Sequence, residues 1–126
     1  MIWLTRDMVE VFHRESLARF GGADGIGDAG VLLSALARAE SIHAYEPEAD
    51  PLRLAAAYCA GVVKNQPFVD GNKRTGILSA VVFLGINGIT LEFDEAMIFT
   101  MVYGLAAGEV AEDQFVNWLR ASALKP

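Results

Sequence analysis

The densest group of chemically capable side chains in the sequence falls within five positions, Asp70, Gly71, Asn72, Lys73 and Arg74, just after Pro67-Phe68-Val69. A glycine-containing turn that opens a helix aims free backbone N–H groups at one point, and the helix dipole adds positive potential there. Lys73 and Arg74 bring two full positive charges to the same end, where cations are unfavourable for the helix itself. That conflict points to an anionic ligand such as a polyphosphate, with Asp70 as a hard oxygen ligand for a magnesium ion bridging the phosphates. The competing reading is a capping turn in which Asp70 or Asn72 caps the helix and the two cations are solvated. The segment is not a Walker loop, which needs four residues between its first glycine and Gly-Lys-Ser/Thr.

The elements that must position this turn are helical. Apolar periodicity with punctuation at each end predicts an all-α fold of six helices and almost no strand. In the first helix Leu4, Met8, Val11 and Phe12 share a face, Thr5 or Asp7 caps the start, and Gly21-Gly22 ends it. Gly21 to Gly27 reads as a loop, after which Asp28 caps a second helix running to about Glu40. Ser41 to Asp50, with Pro47 and several acids, reads as an exposed loop. Pro51 opens the third helix, whose inward stripe is Leu52, Ala55, Ala56, Cys59, Val62 and Val63. Pro67 halts it, because the residue before a proline disfavours the helical region. A fourth helix runs from Asn72 to Asn87-Gly88. Ile77, Leu78, Val81, Val82, Phe83, Leu84 and Ile86 surround it nearly completely, which predicts that it is the central, buried helix. Ile89 to Phe93 is briefly extended. Asp94 caps a fifth helix ending at Gly108, and Glu112 to Ala123 forms a sixth with Phe115, Trp118 and Leu119 inward.

At 126 residues and 53% apolar, residues 1–126 suit one domain with a real core. The net charge of −6 argues against direct nucleic-acid binding, which runs on counterion release at basic surfaces. The lone Cys59 allows no internal disulfide, so a cytoplasmic setting is expected. Met1-Ile2-Trp3-Leu4 meets Arg6 and Asp7 at once, unlike an export signal. The most apolar stretch, Ile77 to Ile86, is too short for a membrane, which takes about 20 residues. A soluble protein with no membrane contact is expected.

The run Lys64-Asn65-Gln66-Pro67-Phe68-Val69-Asp70-Gly71-Asn72-Lys73-Arg74-Thr75-Gly76 resembles the signature of the Fic/Doc family, His-x-Phe-x-Asp/Glu-x-Asn-x-Arg. Lys73, where the AMP-transferring Fic branch usually has glycine, resembles the Doc branch, the toxins of death-on-curing toxin–antitoxin modules. Chain length, the helix pattern, Arg19-Phe20-Gly21-Gly22 and the Gly25-Ile26 loop look like that branch too. The resemblance implies a compact Fic-type six-helix bundle around a central buried helix. It also implies kinase-like transfer of the γ-phosphoryl of ATP, with Mg2+, to a threonine of elongation factor Tu, which arrests translation. Carried over by position, Asp70 holds magnesium, while Gly71, Asn72, Lys73 and Arg74 hold phosphates and Phe68 anchors the loop. An antitoxin whose disordered tail folds as a helix on the toxin is the implied partner, with Trp3, Met97 and Met101 as candidate groove residues. Ser41 to Asp50, with Tyr45 and Pro47, would match the family's target-aligning flap.

One motif position departs. The family's catalytic histidine falls on Gln66, whose amide has no titratable group near neutrality and cannot act as a general base. Loss of a positioned base typically costs about 10²–10⁴-fold in rate, so the implied activity is absent or nearly so. Neither His13 nor His43 lies at a motif position, and His13 reads as a structural residue. The substitution is either deliberate, allowing a toxic protein to be produced, or natural; the intact Asp70, Asn72, Lys73 and Arg74 favour the former. Two rival functions follow: an AMP-transferring Fic enzyme, against which Lys73 argues, and a non-catalytic homologue that binds nucleotide or antitoxin.

Overall fold

The computed structural model describes residues 1–124 and contains six helices among them: α1 (Arg6–Phe20), α2 (Ala29–Tyr45), α3 (Pro51–Asn65), α4 (Asn72–Ile86), α5 (Glu95–Ala107) and α6 (Glu112–Ser122). Most of the starts are set by local chemistry. The side chains of Thr5, Asp28, Asp50 and Asp94 each accept the N–H of a residue two or three positions on, at 3.3, 3.1, 3.0 and 2.8 Å. Each cap satisfies one amide that the first helical turn leaves without a partner. Of the Ile89 to Phe93 segment, Leu91 forms an isolated antiparallel bridge with Ala123, flanked by Glu92 N–H donating to the Ser122 carbonyl at 2.8 Å and Leu124 N–H donating to the Thr90 carbonyl at 2.9 Å.

The central helix is α3, not α4. Eleven of the fifteen α3 residues are buried, against six in α4, where Ile77, Leu78, Val81 and Val82 are half-buried and Ile86 is exposed. The cause lies in side-chain size. Ala55, Ala56, Ala57, Ala60 and Gly61 give α3 a slim surface on which α2, α4, α5 and α6 all pack. The closest approach is at Gly76 of α4: a Cβ there would stand 2.7 Å from Val63 Cγ1 and 3.2 Å from the Cys59 carbonyl oxygen. Tyr58 fills the same interior, 5.0 Å from the Phe83 ring, and its hydroxyl accepts the Leu4 N–H at 3.2 Å. Burial pushes the Tyr58 phenol up to about 12 and raises the Cys59 thiol as well, so both stay protonated at neutral pH.

Two further boundaries differ from expectation. Helix α2 does not stop near Glu40 but continues through Ser41–Tyr45, because no glycine or proline interrupts it before Pro47. On α1 the buried seam is Val9, His13 and Ser16, and Val11 faces solvent. Trp3 is packed against Phe83 at 6.0 Å and against His43 edge-on at 5.5 Å, so it belongs to the N-terminal closure of the bundle rather than to an open groove. Among the described residues, no helix is long and apolar enough to cross a membrane.

Candidate active site

Helix α3 ends at Gln66, which adopts the left-handed conformation with φ 48° and ψ 58° and is the sole non-glycine residue with positive φ among those described. Its N–H still reaches the Val62 carbonyl at 3.0 Å. The chain then turns through Pro67 and Phe68, both buried, to the exposed Val69 and Asp70. A short antiparallel bridge fixes this turn to the loop before α2. Ile26 pairs with Phe68, Val69 N–H donates to the Gly25 carbonyl at 3.0 Å, and Gly27 N–H donates to the Pro67 carbonyl at 2.8 Å. Asn72 closes the turn from the other side by bonding the Phe68 backbone.

The start of α4 has an unusual construction. Gly71 occupies the N-cap position at φ 77°, a conformation that glycine adopts without steric cost, and no side chain caps the helix. Neither Asp70 nor Asn72 serves as the cap. The first bond into the helix is Thr75 N–H to the Gly71 carbonyl at 3.0 Å, which leaves the amides of Asn72, Lys73 and Arg74 without helical partners.

Asp70 is bound instead to the loop around it. Its Oδ1 accepts the Gly71 N–H at 2.8 Å and its Oδ2 the Ala23 N–H at 3.2 Å. Those bonds, first from Gly71 and then from Ala23, hold its carboxyl below the usual range, with further help from the charges of Arg74 and His13. Lys73 and Arg74 lean on aromatic faces from two other helices. The Lys73 ammonium lies 5.0 Å from the Tyr103 ring centre of α5, and the Arg74 guanidinium 4.9 Å from that of Phe20, the last residue of α1. Neither cation takes part in an ion pair among the described residues.

These groups share one open cleft of about 760 Å³, bordered by Gln66, Asp70, Gly71, Asn72, Lys73 and Arg74 on one side. Phe20, Ile98, Phe99 and Tyr103 form the apolar side. The cleft thus combines free amides, two unpaired cations and the carboxylates of Asp70 and Glu95 beside aromatic rings, a composition suited to an anionic ligand with a flat apolar part, with Asp70 nearest the free amides. Among the described residues no cluster of three or more His, Cys, Asp or Glu could hold a metal. One exposed carboxylate with unused lone pairs fits magnesium, which is commonly held by one or two carboxylates, waters and the ligand's own phosphates.

The structure brings the sequence-derived site residues Gln66, Asp70, Gly71, Asn72, Lys73 and Arg74 together. It separates the Ser41–Asp50 segment from them by the whole of α3, about 22 Å at 1.5 Å per residue, so that segment does not flank the cleft. Half of it is the last turn of α2. The segment that pairs with the motif turn is Gly25–Gly27. His43 sits against Trp3, away from the cleft. Met101 is half-buried, while Met97 is exposed on α5. Sequence reasoning missed the aromatic supports Phe20 and Tyr103, which no spacing rule links to position 73 or 74. It also missed the placement of His13, although the Val9, His13, Ser16 spacing sets that imidazole on the buried face of α1.

Residues 3–84 match the family model described as Fic/DOC family. The chain is 32% identical over 108 residues to the protein kinase Doc of Escherichia phage P1, covering 86% of this chain and 85% of that protein. It is 41% identical over 91 residues to the toxin Doc of Mycolicibacterium smegmatis (strain ATCC 700084 / mc(2)155), covering 70% of this chain and 68% of that protein. The cleft-forming turn lies inside the matched region, and on these grounds the chain belongs to the Fic/Doc family, in its Doc branch.

Proposed function

We propose that this chain is a Doc-type toxin of a toxin–antitoxin module whose cleft binds ATP with magnesium for phosphoryl transfer to a protein hydroxyl, and that Gln66 leaves the transfer step very slow. The observation that carries this reading is the uncapped start of α4, where three free amides, Lys73 and Arg74 face one cleft beside Asp70. Phosphoryl transfer asks a protein mainly for positioning and charge neutralisation, and these groups supply both. In the reaction a hydroxyl oxygen bonds to the γ-phosphorus, the bond from that phosphorus to the β-phosphate oxygen breaks, and ADP departs. Lys73, Arg74 and the α4 amides hold the phosphate oxygens; magnesium, when bound at Asp70, neutralises the developing charge. The hydroxyl proton passes to solvent water, because Gln66 can orient the hydroxyl without taking its proton, and the lack of a positioned base is what makes the step slow.

The substrate we assign is a threonine of elongation factor Tu, and the partner an antitoxin tail that folds on the toxin in the cytoplasm. The exposed Met97, Phe99 and Tyr103 of α5 offer apolar contacts beside the cleft. Lys73 disfavours AMP transfer; a phosphate adduct on the target, rather than the heavier AMP adduct, separates the two by mass spectrometry. Calorimetry on the native chain tests the reading as a whole. Binding of ATP that requires magnesium is the expected result, and the absence of binding with both present overturns it.

A further inference from the structure

His13 belongs to no motif, yet it stands directly beneath the turn that the motif forms. It projects from the middle of α1 and is 2% exposed. Its ring stacks on Phe68 with centroids 3.9 Å apart and planes 12° from parallel. Its Nε2 lies 2.7 Å from the Asp70 carbonyl oxygen. A Cβ added at Gly71 would lie 3.5 Å from its Cδ2. One imidazole therefore touches Phe68 and Asp70 and stands beside Gly71.

We propose that His13 is a positioning residue of the phosphate-binding turn, fixing the Asp70 backbone by a hydrogen bond so that the carboxylate and the α4 amides point into one cleft. The proposal rests on the phosphoryl-transfer reading of that cleft for its catalytic consequence, and on geometry alone for its structural one. Because the Asp70 carbonyl only accepts, Nε2 must carry the proton and donate. A leucine or phenylalanine at position 13 would fill the same buried space without the cost of desolvating a polar ring. The carbonyl it binds belongs to an exposed residue but turns inward to the imidazole in a part-buried bond. That bond fixes where the peptide between Asp70 and Gly71 points. That peptide precedes the uncapped helix start, and its N–H is the one held by the Asp70 carboxylate. A small rotation of it would turn the carboxylate and the first α4 amide together, and misplacement by about 1 Å is enough to cost on the order of 100-fold in rate.

Two substitutions separate the stack from the hydrogen bond. His13→Phe keeps an aromatic ring against Phe68 and removes the donor; His13→Gln keeps a donor and removes the ring. In the Gln66→His background, where turnover is measurable, His13→Phe is expected to raise half-saturating magnesium and lower kcat by about tenfold or more. His13→Gln recovers a substantial part of both, while thermal unfolding of either variant stays cooperative. A purely structural role would move stability without this divergence between the two variants. In the native chain, amide hydrogen exchange of residues 67–72 is expected to quicken in His13→Phe relative to the α3 core. Unchanged exchange there, or magnesium dependence and kcat within about twofold of the parent, overturns the proposal. Should Gln66→His itself prove inert and bind no nucleotide, the kinase reading fails, and the exchange measurement alone decides the positioning role.

Discussion

The side-chain amide of Asn72 clamps the backbone of Phe68 from both sides: its Oδ1 accepts the Phe68 N–H at 3.0 Å and its Nδ2 donates to the Phe68 carbonyl at 2.9 Å. Phe68 is buried, so water cannot replace the first of these bonds. Asn72 therefore serves the cleft chiefly by shaping the turn, and its backbone N–H is what it offers a phosphate. Asn72→Ala should destabilise the chain by about 1–3 kcal/mol, the cost of an unsatisfied buried amide, in chemical denaturation. It should also weaken nucleotide binding without changing any charge. Unaltered stability would show that the clamp is not made in solution.

At position 66 the backbone and the side chain can be tested apart. The left-handed conformation is several-fold enriched in histidine, asparagine and aspartate, so Gln66→His should leave stability nearly unchanged while gaining about 10²–10⁴-fold in transfer rate. Gln66→Gly should be slightly more stable and inert. Relief of about 1–2 kcal/mol of left-handed strain is opposed by about 0.4–1 kcal/mol of added unfolded-chain entropy, leaving a small gain. Transfer of radiolabelled γ-phosphate to elongation factor Tu reads the first claim and thermal melting the second. A histidine variant that folds, binds nucleotide and still fails to transfer would remove the base from the account.

What the sequence made legible was local chemistry. The caps at Thr5, Asp28 and Asp94, the proline stop after Gln66 and the contiguous motif all depend on neighbours within a few residues. The choice of central helix was not legible, because burial depends on who packs outside. Alanine and glycine on α3 read as weakly apolar, while the larger residues all round α4 read as deeply buried. The end of α2 was misplaced because acidic residues around Glu46 suggested a loop before the actual stop. His13, Phe20 and Tyr103 reach the motif from α1 and α5, at separations that no periodicity reports.

The tight α3–α4 seam predicts a sharp response to one methyl group. In Gly76→Ala the new Cβ would have to displace Val63 Cγ1 from 2.7 Å and crowd the Cys59 carbonyl at 3.2 Å. The carbonyl is helix backbone and cannot yield alone, so the helices must part. Alanine's better helix propensity returns about 1 kcal/mol at most, and overpacking costs about 1–3 kcal/mol. Denaturant midpoints should show a net loss. Because α4 carries Lys73 and Arg74 on its first turn, nucleotide affinity should fall along with stability. A variant as stable as the native chain would mean that the seam is looser than its geometry states.

The acid limb of stability offers a test at the end of α3 far from the cleft. Asp50 caps that helix through the Arg53 N–H at 3.0 Å and receives Arg120 Nη2 from α6 at 2.8 Å. Partial burial pushes its carboxyl up, but the Arg120 hydrogen bond, the Arg53 amide and the Arg120 charge outweigh this, and its folded-state pKa lies below the ordinary 3.8. A depressed carboxylate contributes stability above its unfolded pKa, and that contribution is lost as pH falls through the folded value. Asp50→Asn keeps a good cap while deleting the charge. Both Asp50 and Arg120 are about half exposed, so solvent screening limits the pair to no more than about 1 kcal/mol. Melting temperatures followed from neutral pH to about pH 2 should therefore show the native chain ahead above about pH 4, with the gap closing below it. A gap that persists unchanged into acid would assign the difference to packing or capping and remove the ion pair as its cause.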